Sequence, residues 1–187
     1  MKTKDISICA ISIGMLVIGS KIVIPISFIP LTLQTLVVIL LGLLLTRKQV
    51  IMTFGIFLLA GLCGLPVFAN GGGPAYILQP SFGFLLSFPI AAYLLASYRS
   101  FYKDSILRMI GCSLLALCFI YLIGAMYMFL IFKTVLLLDK SIMDILMIGV
   151  IPFIINDTIS ASIACIVAKR LYIPLHAILT PTSTKVI

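Results

Sequence analysis

Residues 106–132 read ILRMIGCSLLALCFIYLIGAMYMFLIF, an apolar run whose single charged side chain, Arg108, stands near its start. A run of about 18 or more apolar residues is long enough to cross the hydrocarbon core of a bilayer as a helix. Lipid offers the backbone no hydrogen-bond partners, so only helices and closed barrels span it, and this run lacks the alternation typical of barrel strands. It therefore predicts a membrane-spanning α-helix.

Five more apolar stretches precede or follow this run, separated by charged residues or by clusters of Pro and Gly. Of the 187 residues, 63% are hydrophobic and only 10% are charged, which is more apolar surface than a soluble domain of this size can bury. We therefore predict an all-α integral membrane protein in which residues 1–187 form a single transmembrane domain with six transmembrane helices. The expected spans are about 5–24, 33–46, 49–65, 82–98, 106–132 and 144–168.

The basic residues indicate how the chain is oriented in the bilayer. The formal net charge is +8, but the 13 Lys and Arg residues are scattered between the apolar runs and form no patch of the kind that binds nucleic acid. If the amino terminus is inside the cell, ten of these basic residues lie on cytoplasmic segments. The other three lie on external loops: Lys21, Lys133 and Lys140. Because cytoplasmic loops carry the excess of Lys and Arg, both termini are predicted to be cytoplasmic.

Residue types that serve catalysis or metal binding are sparse in this sequence. The five cysteines lie inside apolar runs without CxxC spacing, and His176 is the single histidine. We therefore predict no catalytic residues, no metal site and no cofactor.

The loop from Pro66 to Pro80, called the glycine loop below, carries no charged residue although it connects two predicted spans. Instead it contains Asn70, the run Gly71–Gly73, Tyr76 and Gln79. Glycines reach positive φ at low cost and allow a ligand to approach the backbone, and successive N–H groups can bind an anion or a carbonyl oxygen. The loop is either a lid over a ligand or a flexible tight turn, and we favour the lid.

Polar residues at two other places stand out against the apolar background. Thr32, Gln34 and Thr35 follow Pro25 and Pro30, so this external segment is predicted to be kinked or re-entrant. In the last span, Asn156 and Asp157 interrupt an apolar run. An acid at membrane depth usually faces a cavity and marks a substrate or proton path, although a helix-packing hydrogen bond is the alternative. Asn156 fits the packing role better than Asp157 does.

Small residues recur on the first span, where Ser7, Ala10 and Gly14 lie about one turn apart. Such a stripe lets another helix approach closely. It indicates either internal packing or contact with another subunit, and the sequence leaves both open.

Five strings along the chain resemble one known family. Residues 29–35 read IPLTLQT, 64–73 read GLPVFANGGG, 80–84 read PSFGF, 88–92 read FPIAA and 152–157 read PFIIND. Together they resemble BioY, the biotin-specific substrate-binding (S) subunit of energy-coupling-factor (ECF) transporters, from about residue 25 to residue 171. The first two strings are the specific ones.

The resemblance implies a six-helix protein of the bacterial cytoplasmic membrane with one external biotin pocket, which the glycine loop closes. It also implies two kinds of partner: a transmembrane coupling subunit and a pair of cytoplasmic ATPases. The sequence agrees, since it contains no GxxxxGK[ST] phosphate loop. If the small-residue stripe of the first span contacts another subunit, Ala10 and Gly14 are the residues expected to meet the coupling subunit. The substrate-binding residues expected on this basis are Thr32, Gln34, Thr35, Phe68, Asn70, Gly71, Gly72, Gly73, Tyr76, Gln79, Phe82, Phe84, Asn156, Asp157 and Ser160.

The sequence departs from the family pattern at two places. Residues 80–84 read PSFGF where the family usually has PTGGY, and Ser160 stands where a Lys usually follows the acid by three residues. A hydroxyl cannot supply that Lys's positive charge to the ligand's carboxylate. The carboxylate would then be met by Lys21, by the N–H groups of Gly71–Gly73 or by water.

Three other functions remain as alternatives to a biotin S subunit. The first is an S subunit for another small carboxylated vitamin or a biotin precursor, and the second is an autonomous carrier that uses Asp157 as its proton site. The third, an intramembrane enzyme, is disfavoured because this acid has no ionisable partner nearby in the sequence.

Overall fold

The structure, a computed structural model, describes residues 3–24, 31–102 and 105–179. The predicted kink or re-entrant turn at Pro25 to Pro30 lies outside the described residues. Eight α-helices and one antiparallel pair of two-residue strands make up the described parts of the chain. In chain order these are α1 Thr3–Lys21, β1 Val23–Ile24, β2 Leu31–Thr32, α2 Gln34–Leu44, α3 Arg47–Leu62, a short 3-10 helix Pro74–Leu78, α4 Phe82–Ser97, α5 Arg99–Tyr102, α6 Ile106–Thr134, α7 Ile142–Gly149 and α8 Ile151–Leu179.

Length and composition make three of the described helical segments capable of crossing a membrane: Thr3–Lys21, Ile106–Thr134 and Ile151–Leu171. α2 and α4 are shorter apolar helices. Large apolar side chains cover the outer surface, with Leu107 76% exposed and Ile155 74% exposed. Such a surface is stable in lipid rather than in water. The predicted fold class, an all-α integral membrane protein, is confirmed.

α2 is the central helix of the bundle. Every side chain from Val37 to Leu43 is buried, because α2 packs against α1, α4 and α8 on different sides. A helix that is apolar all round belongs in such an interior position. Gly42 allows the closest approach: a Cβ there would lie 2.9 Å from the Cα of Ala92 in α4. Small residues at helix contacts thus bring the backbones together around the middle of the molecule.

Glycines also fix how α4 and α6 pack near the glycine loop. A Cβ on Gly83 would lie 2.2 Å from the Cβ of Tyr127, and a Cβ on Gly124 would lie 2.4 Å from the ring of Phe84. Each glycine therefore makes room for an aromatic side chain of the facing helix. The contact holds Phe84 in a buried position between the two helices.

The segment predicted as one span over 144–168 is divided between two helices. α7 begins with a capping box in which Ser141 and Asp144 exchange hydrogen bonds, and it ends at Gly149. Val150 leaves helical geometry with φ −125° and ψ −58°, and α8 starts at the next residue. Pro152 is tolerated there because backbone N–H groups in the first turn of a helix have no partner within the helix, so the N–H that proline lacks is not needed. The break places Asp157 near the start of α8 rather than in the middle of a long helix.

Polar contacts join the helix ends at the side of the bundle away from the glycine loop. Gln49 donates from Nε2 to Oδ1 of Asp5 at 3.0 Å, and Gln49 also forms a capping box with Thr46. The guanidinium of Arg99 donates to the carbonyl of Leu45. These contacts tie α1, α3 and the α4–α5 junction together at that end.

The orientation of the bundle in the membrane stays a prediction, and labelling of single cysteines checks it. In a variant without the five native cysteines, Lys48→Cys is expected to resist an impermeant thiol reagent in intact cells, whereas Ala75→Cys is expected to react. Both side chains are exposed, so burial does not explain a difference. Permeabilised cells, in which both positions should react, are the control. The reverse pattern would contradict cytoplasmic termini.

Candidate ligand-binding site

A cavity of about 60 Å³ lies between α2, α4, α6, α8 and the glycine loop. An apolar cavity of about 150 Å³ holds a benzene molecule, so a bicyclic ligand needs more room than this structure leaves. Movement of lining side chains or of the glycine loop must therefore accompany binding of such a ligand. The described lining residues are Thr32, Gln34, Thr35, Ala69, Tyr76, Ser81, Phe84, Leu85, Phe88, Ile120, Tyr121, Gly149, Phe153 and Asp157.

Asp157 is the sole acidic or basic residue among the described residues that line the cavity, and it is only 5% exposed. The Tyr121 hydroxyl on α6 donates to its Oδ2 at 2.8 Å, and Asn156 Nδ2 donates to Oδ1 at 3.4 Å. The Thr35 side chain also lies near this carboxylate. A buried carboxylate needs such donors, and its two oxygens can accept further bonds. Asp157 is thus a fixed acceptor for N–H groups of a ligand.

Three buried polar atoms around the cavity have no hydrogen-bond partner among the described residues: Gln34 Nε2, Tyr76 Oη and Ser81 Oγ. The Tyr76 and Ser81 hydroxyls lie near each other, but no hydrogen bond of normal geometry joins them. Burial raises the pKa of the Tyr76 phenol, so its hydroxyl keeps its proton and can donate. Since unpaired buried polar groups are costly, a ligand with a carbonyl oxygen would stabilise them.

Aromatic packing holds the glycine loop over this cavity. The Phe68 ring is fully buried and packs against Phe57, with 5.4 Å between ring centroids, and against Tyr76 at 4.7 Å. It also covers Gly61 at the end of α3, where a Cβ would lie 2.1 Å from the ring. Phe68 therefore attaches the loop to α3 and packs against the ring of Tyr76.

The backbone of the glycine loop is folded on itself and on α3. Gly71 and Gly73 have φ of +113° and +111°, a region that favours glycine. Gly71 donates its N–H to the Phe68 carbonyl at 3.2 Å, and Gly73 donates to the Gly61 carbonyl at 2.7 Å. The glycines thus build the loop, and at least these two N–H groups are already used within the protein.

The carboxyl end of α1 is bonded to the same loop. Ser20 donates from Oγ to the Val67 carbonyl at 2.7 Å, and Lys21 donates from Nζ to the Phe68 carbonyl at 2.7 Å. These bonds connect the first helix to the segment that covers the cavity.

Six of the 15 predicted substrate-binding residues come together around the cavity. They lie on β2, α2, the 3-10 helix, α4 and α8, which are distant in sequence, and all but Thr32 are buried. Thr32 accepts a bond from the Gln34 backbone N–H at 3.3 Å, which orients the start of α2. The six are Thr32, Gln34, Thr35, Tyr76, Phe84 and Asp157.

The other nine predicted residues do not line the cavity in this structure. Phe68 and Phe82 are buried in the aromatic cluster on either side of Tyr76, and Ser160 is buried one turn beyond Asp157. Asn156 contacts Asp157 instead of the cavity. The remaining five belong to the glycine loop, where Asn70 and Gly72 are exposed and Gly71, Gly73 and Gln79 are half-buried. Their contacts with a ligand stay predictions.

Several residues of the cavity were not predicted from the sequence, and Tyr121 is the most important of them. A phenol in the apolar run 106–132 is a polar group at membrane depth, and this signal makes both Tyr121 and Tyr127 candidates without distinguishing them. Ser81 was noted only as a departure from the family string. No sequence signal distinguishes Leu85, Phe88 or the other apolar lining residues from ordinary core residues.

Comparison with known proteins shows the family to which this chain belongs. The profile of the BioY family matches residues 1–176. The chain is 37% identical over 174 residues to a probable biotin transporter BioY of Pyrococcus horikoshii, covering 91% of this chain and 98% of that protein. It is 30% identical over 162 residues to the biotin transporter BioY of Thermotoga maritima, covering 84% and 89%.

A solved structure has the same fold. The crystal structure of the S-component for biotin from an ECF-type ABC transporter superposes with a TM-score of 0.80 at 25% sequence identity, covering 92% of this chain and 94% of that one. The family profile, the two relatives and the shared fold lead to one conclusion: this chain belongs to the BioY family of membrane proteins.

Proposed function

We propose that this chain is the membrane-embedded biotin-binding subunit of an ECF-type uptake system. Its relatives are named biotin transporters, and its structural neighbour is an S-component for biotin. The observation that carries the proposal is the polarity of the cavity: the Asp157 carboxylate accepts on one side, while Gln34, Tyr76 and Ser81 present unpartnered polar atoms.

The ureido ring of biotin matches this arrangement. Its two N–H groups are donors for Asp157, and its carbonyl oxygen is an acceptor for Gln34 Nε2 and for the hydroxyls of Tyr76 and Ser81. The bicyclic ring and the aliphatic tail would contact Phe84, Leu85, Phe88, Ile120 and Phe153, which are apolar lining residues. Burial of that apolar surface stabilises the complex, while the polar groups select the ligand.

In this proposal, the closed glycine loop keeps water out of the binding site. Tyr76 lies both in the loop and in the cavity wall, and Tyr127 of α6 donates from its hydroxyl to the Ile77 carbonyl of the loop. Opening of the loop would enlarge the cavity and admit ligand, and reclosing would restore these contacts. Such movement accounts for a cavity that is smaller than its ligand.

Identification of the ligand carried through purification tests this function. Protein purified in detergent from cells supplied with biotin is denatured, and the released small molecules are identified by mass spectrometry. We expect biotin at close to one molecule per chain. Release of another vitamin or of a biotin precursor in its place would contradict biotin as the substrate.

The energy for transport is proposed to come from partner subunits. The sequence contains no nucleotide-binding phosphate loop. Ala10 and Gly14 are exposed on α1, and a Cβ on Gly14 would meet nothing within 4 Å, so this face is open to a coupling subunit. Internal packing of α1 uses other residues instead, among them Cys9, Ser12 and Leu16.

Reconstitution checks this division of labour. The purified subunit alone in liposomes is expected to bind biotin but not to concentrate it, and accumulation should require the coupling subunit, the ATPases and ATP. Accumulation by the subunit alone under a proton gradient would support an autonomous carrier that uses Asp157.

A further inference from the structure

The cavity has no positive charge to receive the carboxylate of its proposed ligand. Asp157 is an acid, and no Lys or Arg is found among the described lining residues. Ser160 is buried and lies outside the lining. A ligand carboxylate placed beside Asp157 would meet no cation among the described lining residues, and an ionised Asp157 would repel it strongly where the effective dielectric constant is low. The ligand must therefore bind with its carboxylate away from Asp157, towards the mouth of the cavity.

The glycine loop is a poor anion site in this conformation. The N–H of Gly71 is bonded to the Phe68 carbonyl, and the N–H of Gly73 is bonded to the Gly61 carbonyl. An anion would have to displace these bonds, which also hold the loop closed. Of the protein groups that the sequence offers for the carboxylate, the Gly72 N–H and Lys21 remain, and of these two only Lys21 is positively charged.

Lys21 lies where two cavity-lining segments meet. Its Nζ is 2.7 Å from the carbonyl of Phe68, and the next residue, Ala69, lines the cavity. Two residues after Lys21, Val23 pairs with Thr32, which also lines the cavity. The side chain is exposed and is not among the residues that line the cavity, so its ammonium lies beside the lining segments rather than in the interior.

We propose that Lys21 binds the ligand's carboxylate at the mouth of the cavity and so makes this subunit prefer the free acid to neutral derivatives. An ammonium has three N–H donors, and the Phe68 carbonyl occupies one of them. A carboxylate at the rim can take another and form a charge-assisted hydrogen bond. Asp157 then binds the neutral ring end, and Lys21 binds the charged tail. This inference rests on the proposed function.

Binding of biotin and of the neutral biotin amide to three proteins tests the proposal: the parent, Lys21→Met and Lys21→Arg. Affinities are measured by calorimetry in detergent. Lys21→Met is expected to weaken biotin binding about tenfold and to leave the amide nearly unchanged, since about 1.4 kcal/mol corresponds to tenfold. Lys21→Arg keeps the charge and should retain the preference for the acid. Lys133→Met removes an exposed charge elsewhere and is the matched control.

Lys21 has two possible roles, because it also donates a hydrogen bond to the Phe68 carbonyl of the glycine loop. Comparing biotin with its amide separates recognition of the ligand's charge from support of the loop. Equal weakening of both ligands by Lys21→Met would assign Lys21 to loop support alone and overturn the proposal. Unchanged biotin affinity, or the same selective loss in Lys133→Met, would also overturn it. If the parent bound neither ligand, the proposed function would fail first, which is a distinct result.

Discussion

Asp157→Asn is expected to weaken biotin binding by about 1.5–3 kcal/mol, which is roughly tenfold to a hundredfold in the dissociation constant. The substitution keeps the shape of the side chain but removes the charge that accepts ligand N–H groups. The new amide also turns an N–H group towards ligand or protein groups that themselves donate. Calorimetry with the purified variant measures the effect, and circular dichroism with a melting curve checks the fold.

Tyr121→Phe is the control for the role of this carboxylate. It removes the hydroxyl that donates to Asp157 Oδ2 but retains the ring and the charge. Tyr121→Phe is expected to weaken biotin binding less than Asp157→Asn does. The carboxylate is then less well oriented, but it still accepts hydrogen bonds from the ligand. Should Asp157→Asn bind biotin as tightly as the parent while remaining folded, this acid would not contact the ligand.

The helices and the acid were predictable because their signals are local. The length of the apolar run 106–132 is enough to predict α6, and Asp157 stands out because an acid rarely lies within an apolar helix. The break at Val150 was not predicted. An apolar sequence continues through it, and Pro152, which is typical of the first turn of a helix, is the one local signal that a new helix begins there.

The contacts of the site were harder to predict because they join distant residues. Tyr121 lies 36 positions from Asp157, and nothing in the sequence pairs them. The family resemblance implies a ligand contact for Phe68, which stays a prediction, while in this structure its ring fills the space above Gly61. Only the packed structure shows that this glycine makes room for an aromatic anchor.

Gly72→Val is expected to raise the dissociation constant for biotin by roughly thirtyfold, or about 2 kcal/mol, because overpacking typically costs about 1–3 kcal/mol. The sequence suggested positive φ or close approach of the backbone as the reason for glycine here. The structure shows close approach: a Cβ on Gly72 would lie 2.1 Å from the backbone oxygen of Leu65 and 2.9 Å from that of Gly61. Backbone atoms cannot rotate away, so the loop must shift.

Gly72→Ala is the smallest substitution that tests this, because its Cβ already overlaps the backbone oxygen of Leu65. Gly55→Ala in α3 is the matched control, because a Cβ there meets nothing within 4 Å and affinity should stay at the parent value. The helices should survive all three substitutions, and circular dichroism checks this. Since the shifted segment is the one that carries Tyr76 into the cavity wall, the loss should appear in ligand binding. Unchanged affinity in both Gly72 variants would make the glycine loop an ordinary turn that takes no part in closing the site.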